Sequence, residues 1–324
     1  MSDSPPTSAP SPLESSEAPA EVARGGLRGL LAVSASLVRL HIVAIACLAT
    51  SVFGWALTGD WGPGPWWWLP VAACAADWFV INLMNRVADL EEDAANGILG
   101  ADVAARHPRA FSGLCWAVLL GSLLATPLLM PALTPWRLAC HAIGFPYNFR
   151  LLPGKRRFKE LYGCKNLASG VIFLITSFGY PIAAAGGVLA ADVSWVTVAA
   201  VAGFFLLFEL SYEVIYDLRD APGDALAEVK TFPVVHGQAT SLRIVNALIA
   251  GSLLILIGAY AAGKVPWRLF VMLLAPVLQF FLYRRAVARG ITSADCVALT
   301  WLGAIQLALY HVWVFAGLPL ERPF

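Results

Sequence analysis

Charge is scarce in this chain. Of its 324 residues only 13% are Asp, Glu, Lys or Arg, and the 22 basic and 21 acidic side chains nearly cancel to a net charge of +1. That balance excludes the broad positive field through which a protein holds nucleic acid. Cysteine chemistry is missing as well. Cys47, Cys74, Cys115, Cys140, Cys164 and Cys296 form no C-x-x-C pair and no metal-ligand spacing, so they read as small residues of a packed interior. Residues 1–26 have no apolar run after a basic start, as a signal peptide would, and their Ser, Pro, Ala and Glu content reads as a disordered tail. What fills the rest is apolar. Hydrophobic residues make up 59% of the chain and the mean hydropathy is +0.70. A water-soluble core cannot hide that much, so residues 27–324 are expected to form one domain solvated by lipid.

A bilayer core takes about 20 apolar residues per helix. Windows of that kind fall at 39–57, 66–84, 111–130, 135–147, 167–185, 194–214, 242–261, 267–282 and 294–315. The expectation is an all-α, multi-pass membrane protein of about nine transmembrane helices around a central cavity, capped by loops. If the first terminus and the loops after spans two, four, six and eight share a side, 18 of the 22 lysines and arginines lie there. Only Arg137, Lys264, Arg268 and Arg322 lie opposite. The positive side is cytoplasmic, which puts the N-terminus inside and the C-terminus outside a cell membrane. Loops of roughly 20 residues after spans two, four and six are expected there, and loops that long are commonly functional.

Two acidic clusters close hydrophobic spans on that side. Asn85, Asp89 and Asp93 are spaced i, i+4, i+8 and fall on one stripe of a continuing helix. Asp217, Asp220 and Asp224 are spaced i, i+3, i+7, with Pro222 and Gly223 placed to break the last turn. Asp89 and Asp220 are 131 residues apart, which hints at an internal duplication. Acids stacked on one helix face repel, and a divalent cation removes the repulsion. Magnesium suits such oxygens and completes its shell with substrate phosphates, so a diphosphate is the natural third party. Each cluster taken alone also reads as a solvated helix end. Between them runs a basic loop with Tyr147, Arg150, Lys155, Arg156, Arg157, Lys159 and Lys165. Its cations suit either anionic lipid or diphosphate oxygens.

At membrane depth stand Asp77, Asn82, Glu209, Glu213, His141, Asn246, Gln279, Gln306 and His311. Each is a functional candidate there. Glu213, one turn before Asp217, is the foremost of them, and interhelical hydrogen bonding is the expected role of most others.

Together these residues resemble the UbiA-type family of intramembrane prenyltransferases. That family has N-D-x-x-D-x-x-x-D after its second helix and D-x-x-D-x-x-x-D after its sixth, and the resemblance covers residues 39 to 317. Here the motifs are Asn85-Arg-Val-Ala-Asp89-Leu-Glu-Glu-Asp93 and Asp217-Leu-Arg-Asp220-Ala-Pro-Gly-Asp224. Lys230-Thr231-Phe232-Pro233 is similar to the family's K-T-L-P, and Arg39-Leu40-His41 to its R-P-H. Arg86 stands where the family has an aspartate.

The resemblance implies transfer of a polyprenyl group from an allylic prenyl diphosphate to a hydrophobic acceptor, with Mg2+ on Asn85, Asp89, Asp93, Asp217, Asp220 and Asp224. It implies diphosphate contacts from Tyr147, Lys155, Arg156, Lys159, Lys165, Glu213 and Lys230, and acceptor or diphosphate contacts from Arg39 and Asn82. Asp89, Asp93, Asp220 and Asp224 would carry the catalysis. A same-fold terpene cyclase and an ion-coupled transporter are the competing readings. The second predicts charges near the midplane, whereas these acids sit at helix ends.

Overall fold

The computed structural model describes residues 26–59 and 67–317, and the described residues are helical with no strand. The tail expected over residues 1–26 therefore lies outside them, apart from Gly26. In chain order the helices are α1 (Gly26–Leu37), α2 (Leu40–Thr58), α3 (Trp68–Ala88), α4 (Leu90–Ala95), α5 (Ala101–Arg106) and α6 (Pro108–Leu129). They continue as α7 (Thr134–Asn148), α8 (Cys164–Ala184), α9 (Trp195–Leu226), α10 (Phe232–Ala261), α11 (Trp267–Ala288) and α12 (Ser293–Phe315).

Local chemistry sets these ends. Gly59 stops α2 in a left-handed conformation, φ 68°, with its N–H on the Trp55 carbonyl. The Ser194 and Thr197 side chains each accept from the other's backbone N–H at the start of α9, and Thr292 and Asp295 do the same for α12. Each capping box satisfies donors that lipid would leave bare.

Seven of the helices, α2, α6 and α8 to α12, are long and apolar enough to cross a membrane. Helices also stand at the second and fourth predicted spans, with a physical reason for missing that mark. Asp77, Asn82, Asn85 and Arg86 lower the hydropathy of α3, yet all four are buried and turned from the lipid-facing surface. The 15 residues of α7 reach only about 22 Å at 1.5 Å per residue. Neighbouring contacts close a ring in the order α2, α3, α7, α8, α9, α10, α11, α12 and back to α2, with α6 packed outside α3. The outer surface carries leucines and aromatics such as Leu124, Leu128, Leu254 and Phe315, as a lipid-solvated body requires.

Three local expectations are corrected. The helix of the first cluster does not continue, because Asp89 leaves helical geometry at φ −113°, ψ 30° and α4 restarts after it. The second cluster does not break. α9 runs through Pro222 and Gly223 to Leu226, the proline costing only one backbone bond of a helix anchored over 32 residues. The third long loop is consequently absent, since residues 227–231 alone separate α9 from α10.

Candidate active site

Both acidic clusters line one cavity. Asn85, Asp89 and Asp93 from α3 and α4 share its wall with Asp217, Asp220 and Asp224 from α9, together with Arg39, Tyr147, Lys159, Lys165, Glu213, Tyr216 and Arg219. The two motifs are braced against each other, for Gly223 donates its N–H to Asn96 Oδ1 at 3.0 Å across 127 residues of sequence. A Cβ at Gly223 would stand 2.5 Å from that amide, so the contact requires glycine.

Cations neutralise the acids. Asp89 Oδ1 accepts from Arg157 Nη1 at 2.6 Å and Asp89 Oδ2 meets Lys159 Nζ at 2.6 Å, while Glu92 is shared by the same two bases at 2.7 Å each. Asn85 donates to Asp89 and accepts from Arg39 at 2.7 Å. On α9, Lys165 Nζ lies 2.9 Å from Asp217 Oδ1 and 2.8 Å from Asp224 Oδ2, and Asn166 donates to Asp217 at 2.8 Å. Arg219 pairs with Asp220 and lies over the Tyr216 ring at 4.8 Å. Ser169 donates to Glu213 at 2.6 Å. Burial works against the charge of Arg157, but Glu160 and Asp89 overrule it and hold its pKa above the ordinary arginine value.

The donor set fits a hard divalent cation. Every candidate ligand is an oxygen of Asp or Asn, and the Lys165 ammonium bridges two carboxylates of one motif where a metal would do the same. Among the described residues no three acids, histidines or cysteines converge into a ready-made metal cage. Magnesium does not need one, since it is commonly held by one or two carboxylates, waters and substrate phosphates.

Four candidates fall elsewhere. Lys155 and Arg156 are exposed, because a turn at Gly154 carries them away from the wall, and Lys230 is exposed between α9 and α10. Asn82 is buried and donates to the Val38 carbonyl at 3.3 Å, off the cavity. Sequence reasoning did not set Arg157 apart from its neighbours and missed Arg219, Asn96 and Tyr216. The first lies in the basic loop already singled out, but nothing in its neighbours distinguishes it from Lys155 and Arg156. Arg86 is now explained, for it pairs with Asp93 at 2.8 Å and donates to the Ser36 carbonyl at 3.2 Å, neutralising an acid where the family places another.

Past Ile45, Glu209 and Tyr212, which line both spaces, the cavity gives onto an apolar cleft of about 380 Å³. Phe53, Phe204, Phe205 and Phe208 wall it, and Leu274, Leu309 and Val312 on its rim are exposed to the outer surface.

Comparison with known proteins agrees with this fold. The model of the UbiA prenyltransferase family matches residues 157–305. A digeranylgeranylglyceryl phosphate synthase of Methanopyrus kandleri is 26% identical over 197 residues, 60% of this chain and 66% of that protein, so the chain spans just under two thirds of its relative. A UbiA homologue from Archaeoglobus fulgidus, solved with DMAPP and Mg2+, superposes with a TM-score of 0.66 at 18% identity, covering 87% of this chain and 97% of that one. The apo UbiA homologue from Aeropyrum pernix K1 gives 0.63 at 17% identity, over 86% and 98%.

Proposed function

We propose, from the premise that this multi-pass membrane chain belongs to the UbiA prenyltransferase family, that it moves a polyprenyl group from an allylic prenyl diphosphate to a lipid-soluble acceptor with the help of magnesium. The observation that carries the reading is the joining of a charged cavity to an aromatic cleft at Ile45, Glu209 and Tyr212. A ligand with a multiply charged head and a long apolar tail fits that pair of spaces. The names of similar proteins support the reading: one is a digeranylgeranylglyceryl phosphate synthase and one was solved bound to DMAPP and Mg2+.

In this reading Asn85, Asp89 and Asp93 face Asp217, Asp220 and Asp224 as the two metal-holding sets. Magnesium bound there supplies positive charge to the oxygens of the departing diphosphate. Lys159, Lys165 and Arg157 change partners from carboxylates, and Arg39 from the Asn85 amide oxygen, to diphosphate oxygens, to which guanidinium forks and ammoniums are suited. Tyr147 and Glu213 complete the polar wall. The faces of Phe53, Phe204, Phe205 and Phe208 line the path of the allylic chain, where they shield an electron-poor carbon from water and offer it π density.

The finer topology belongs to the same proposal. α3 and α7 complete a set of nine membrane-crossing helices, with the motif end and the N-terminus cytoplasmic as the arginine and lysine distribution favours. The test uses purified full-length protein in detergent with magnesium chloride and radiolabelled geranylgeranyl diphosphate, with and without lipid extract. Diphosphate is expected to be released and the label to move into lipid, both lost in Asp89→Ala and Asp220→Ala. Release that survives both substitutions, or none from the unaltered protein, refutes the assignment.

A further inference from the structure

Basic side chains at the motif end of the bundle are not all neutralised alike. Around the cavity most meet an acid: Arg86 pairs with Asp93, Arg157 with Asp89 and Arg219 with Asp220. α10 and α11 offer none, because from Val229 to Ala294 the chain contains no aspartate or glutamate. Arg289 reaches past that stretch to Asp295. Arg243 and Arg285 have no hydrogen bond or ion pair with any other described residue. Arg284 has none either and lies over the Phe280 ring, 5.0 Å from its centre. All three are exposed.

Helix register brings these three together. α10 and α11 run antiparallel and are joined by the hydrogen bond that the Tyr283 hydroxyl donates to Asn246. From that bond toward the motif end, Arg243 lies about 4.5 Å along α10, and Arg284 and Arg285 about 1.5 and 3 Å along α11. They therefore share one level. At about 100° per residue, Arg243 points outward beside the Asn246 edge of α10 and Arg284 outward beside the Tyr283 edge of α11, so the two flank the furrow between the helices. Arg285 stands on the outward face next to them. Gly237, at φ 77°, interrupts α10 shortly before Arg243, and α11 ends at Ala288, which puts the arginines in the outer turns, at the depth of lipid head groups. Deeper in, the outward faces are apolar and exposed, with Ala247, Ala250 and Leu254 on α10 and Val277 and Phe281 on α11.

We infer that the motif end of the α10–α11 furrow is a binding site for an anionic phospholipid. Its phosphate sits between the Arg243 and Arg284 guanidiniums, whose paired N–H donors match phosphate oxygens, with Arg285 beside them. Its acyl chains lie along the apolar faces deeper in. A soluble polyanion would satisfy the arginines and leave those faces bare, and a zwitterionic lipid would bring its own cation to a place where no acid of α10 or α11 awaits it. The site is separate from the one already described, since none of the three arginines lines the cavity or the cleft. The inference is therefore independent of the proposed transfer. A lipid held there ties α10 to α11, and α11 in turn supplies Val271, Leu274 and Ala275 to the wall of the apolar cleft.

The experiment titrates purified full-length protein in detergent with dioleoyl phosphatidylglycerol or dioleoyl phosphatidylcholine and counts bound lipid by native mass spectrometry. The unaltered protein is expected to retain phosphatidylglycerol about tenfold more than phosphatidylcholine, as cations near a head group favour net negative charge. Arg243→Gln combined with Arg284→Gln and Arg285→Gln is expected to bring that ratio below about twofold. Lys155→Gln with Arg156→Gln, which removes two exposed cations elsewhere, is expected to leave it unchanged. Melting temperature gives a second reading: phosphatidylglycerol raises it, phosphatidylcholine and inorganic phosphate do not, and the triple variant loses the rise. A ratio near one in the unaltered protein overturns the inference. So does an equal fall in both sets of variants, which reduces the preference to overall charge. A rise in melting with inorganic phosphate equal to that with phosphatidylglycerol overturns the lipid as occupant. Should the triple variant fail to fold by gel filtration, Arg243→Gln alone decides: it is expected to lower the ratio about threefold, and a ratio it does not move overturns the site.

Discussion

Asp77 and Asp89 lie on the same stretch of chain, about 18 Å apart at the rise of a helix, and both are buried acids paired with arginine. Their surroundings differ in kind. Asp77 is fully buried and receives Arg137, with His141 Nε2 at 2.9 Å and the Tyr180 hydroxyl at 2.5 Å, while Arg137 also holds the Ser122 carbonyl and Thr126 on α6. Arg137, His141 and Tyr180 together engage both Asp77 oxygens, and none of these residues lines the cavity or the cleft. Asp89 has cations as good, yet it faces open space with a second acidic motif across it. Buried charge alone therefore does not mark a site. A closed network fixes helices, whereas one with an open wall leaves its partners free to be exchanged.

That contrast can be broken by mutation. The largest effect is expected at the open network, where Asp220→Ala should lower diphosphate release about 1000-fold and leave thermal unfolding in detergent little changed. At the closed network Arg137→Leu should cost about 3–5 kcal/mol of stability by leaving Asp77 unpaired, read as a lowered melting temperature. Arg137→Leu with Asp77→Leu should recover much of it, because a buried pair can be replaced by apolar side chains with little loss. A double variant no more stable than the single would show that the pair sets the fold of this end.

Gly223→Ala, which pushes a methyl into Asn96, should lower kcat/KM about tenfold with a smaller change in melting. Lys165→Met removes the cation between Asp217 and Asp224, so added magnesium chloride should raise its melting temperature more than that of the unaltered protein. The smallest effect belongs to Glu160. Burial raises its pKa, but the hydrogen bonds from Arg157 prevail and hold it below its ordinary 4.5. A carboxyl depressed on folding stabilises above that ordinary value and ceases to as pH falls through the folded one. Glu160→Gln should thus lower the melting temperature by about 1–2 °C at pH 7, with the difference fading below about pH 4.

Much of the helical layout was legible in the sequence, because in lipid an unbroken apolar run has one way to satisfy its backbone. The run 294–315 became Ser293–Phe315, and 267–282 became a helix starting at the same Trp267. Departures from regular geometry were less legible. Nothing local announces that Asp89 turns out of its helix or that Pro222 stays within one, because both ends meet distant partners, Arg157 for the first and Asn96, through Gly223, for the second. Pairing hid the candidate site in the same way. Glu209, Gln279 and His311 look alike along the chain, and only the placing of Ser211 and Ser51 shows which are already engaged.

On the proposed function, the rim of the apolar cleft, where Leu274, Leu309 and Val312 are exposed, changes the dimension in which this protein meets its ligands. A mouth in the lipid-facing surface samples molecules dissolved in the bilayer plane, so encounter follows their mole fraction in the membrane and lateral diffusion. Amount per volume of water drops out of the rate. Diluting the lipid phase with detergent at fixed bulk substrate should slow turnover in proportion, as surface dilution does.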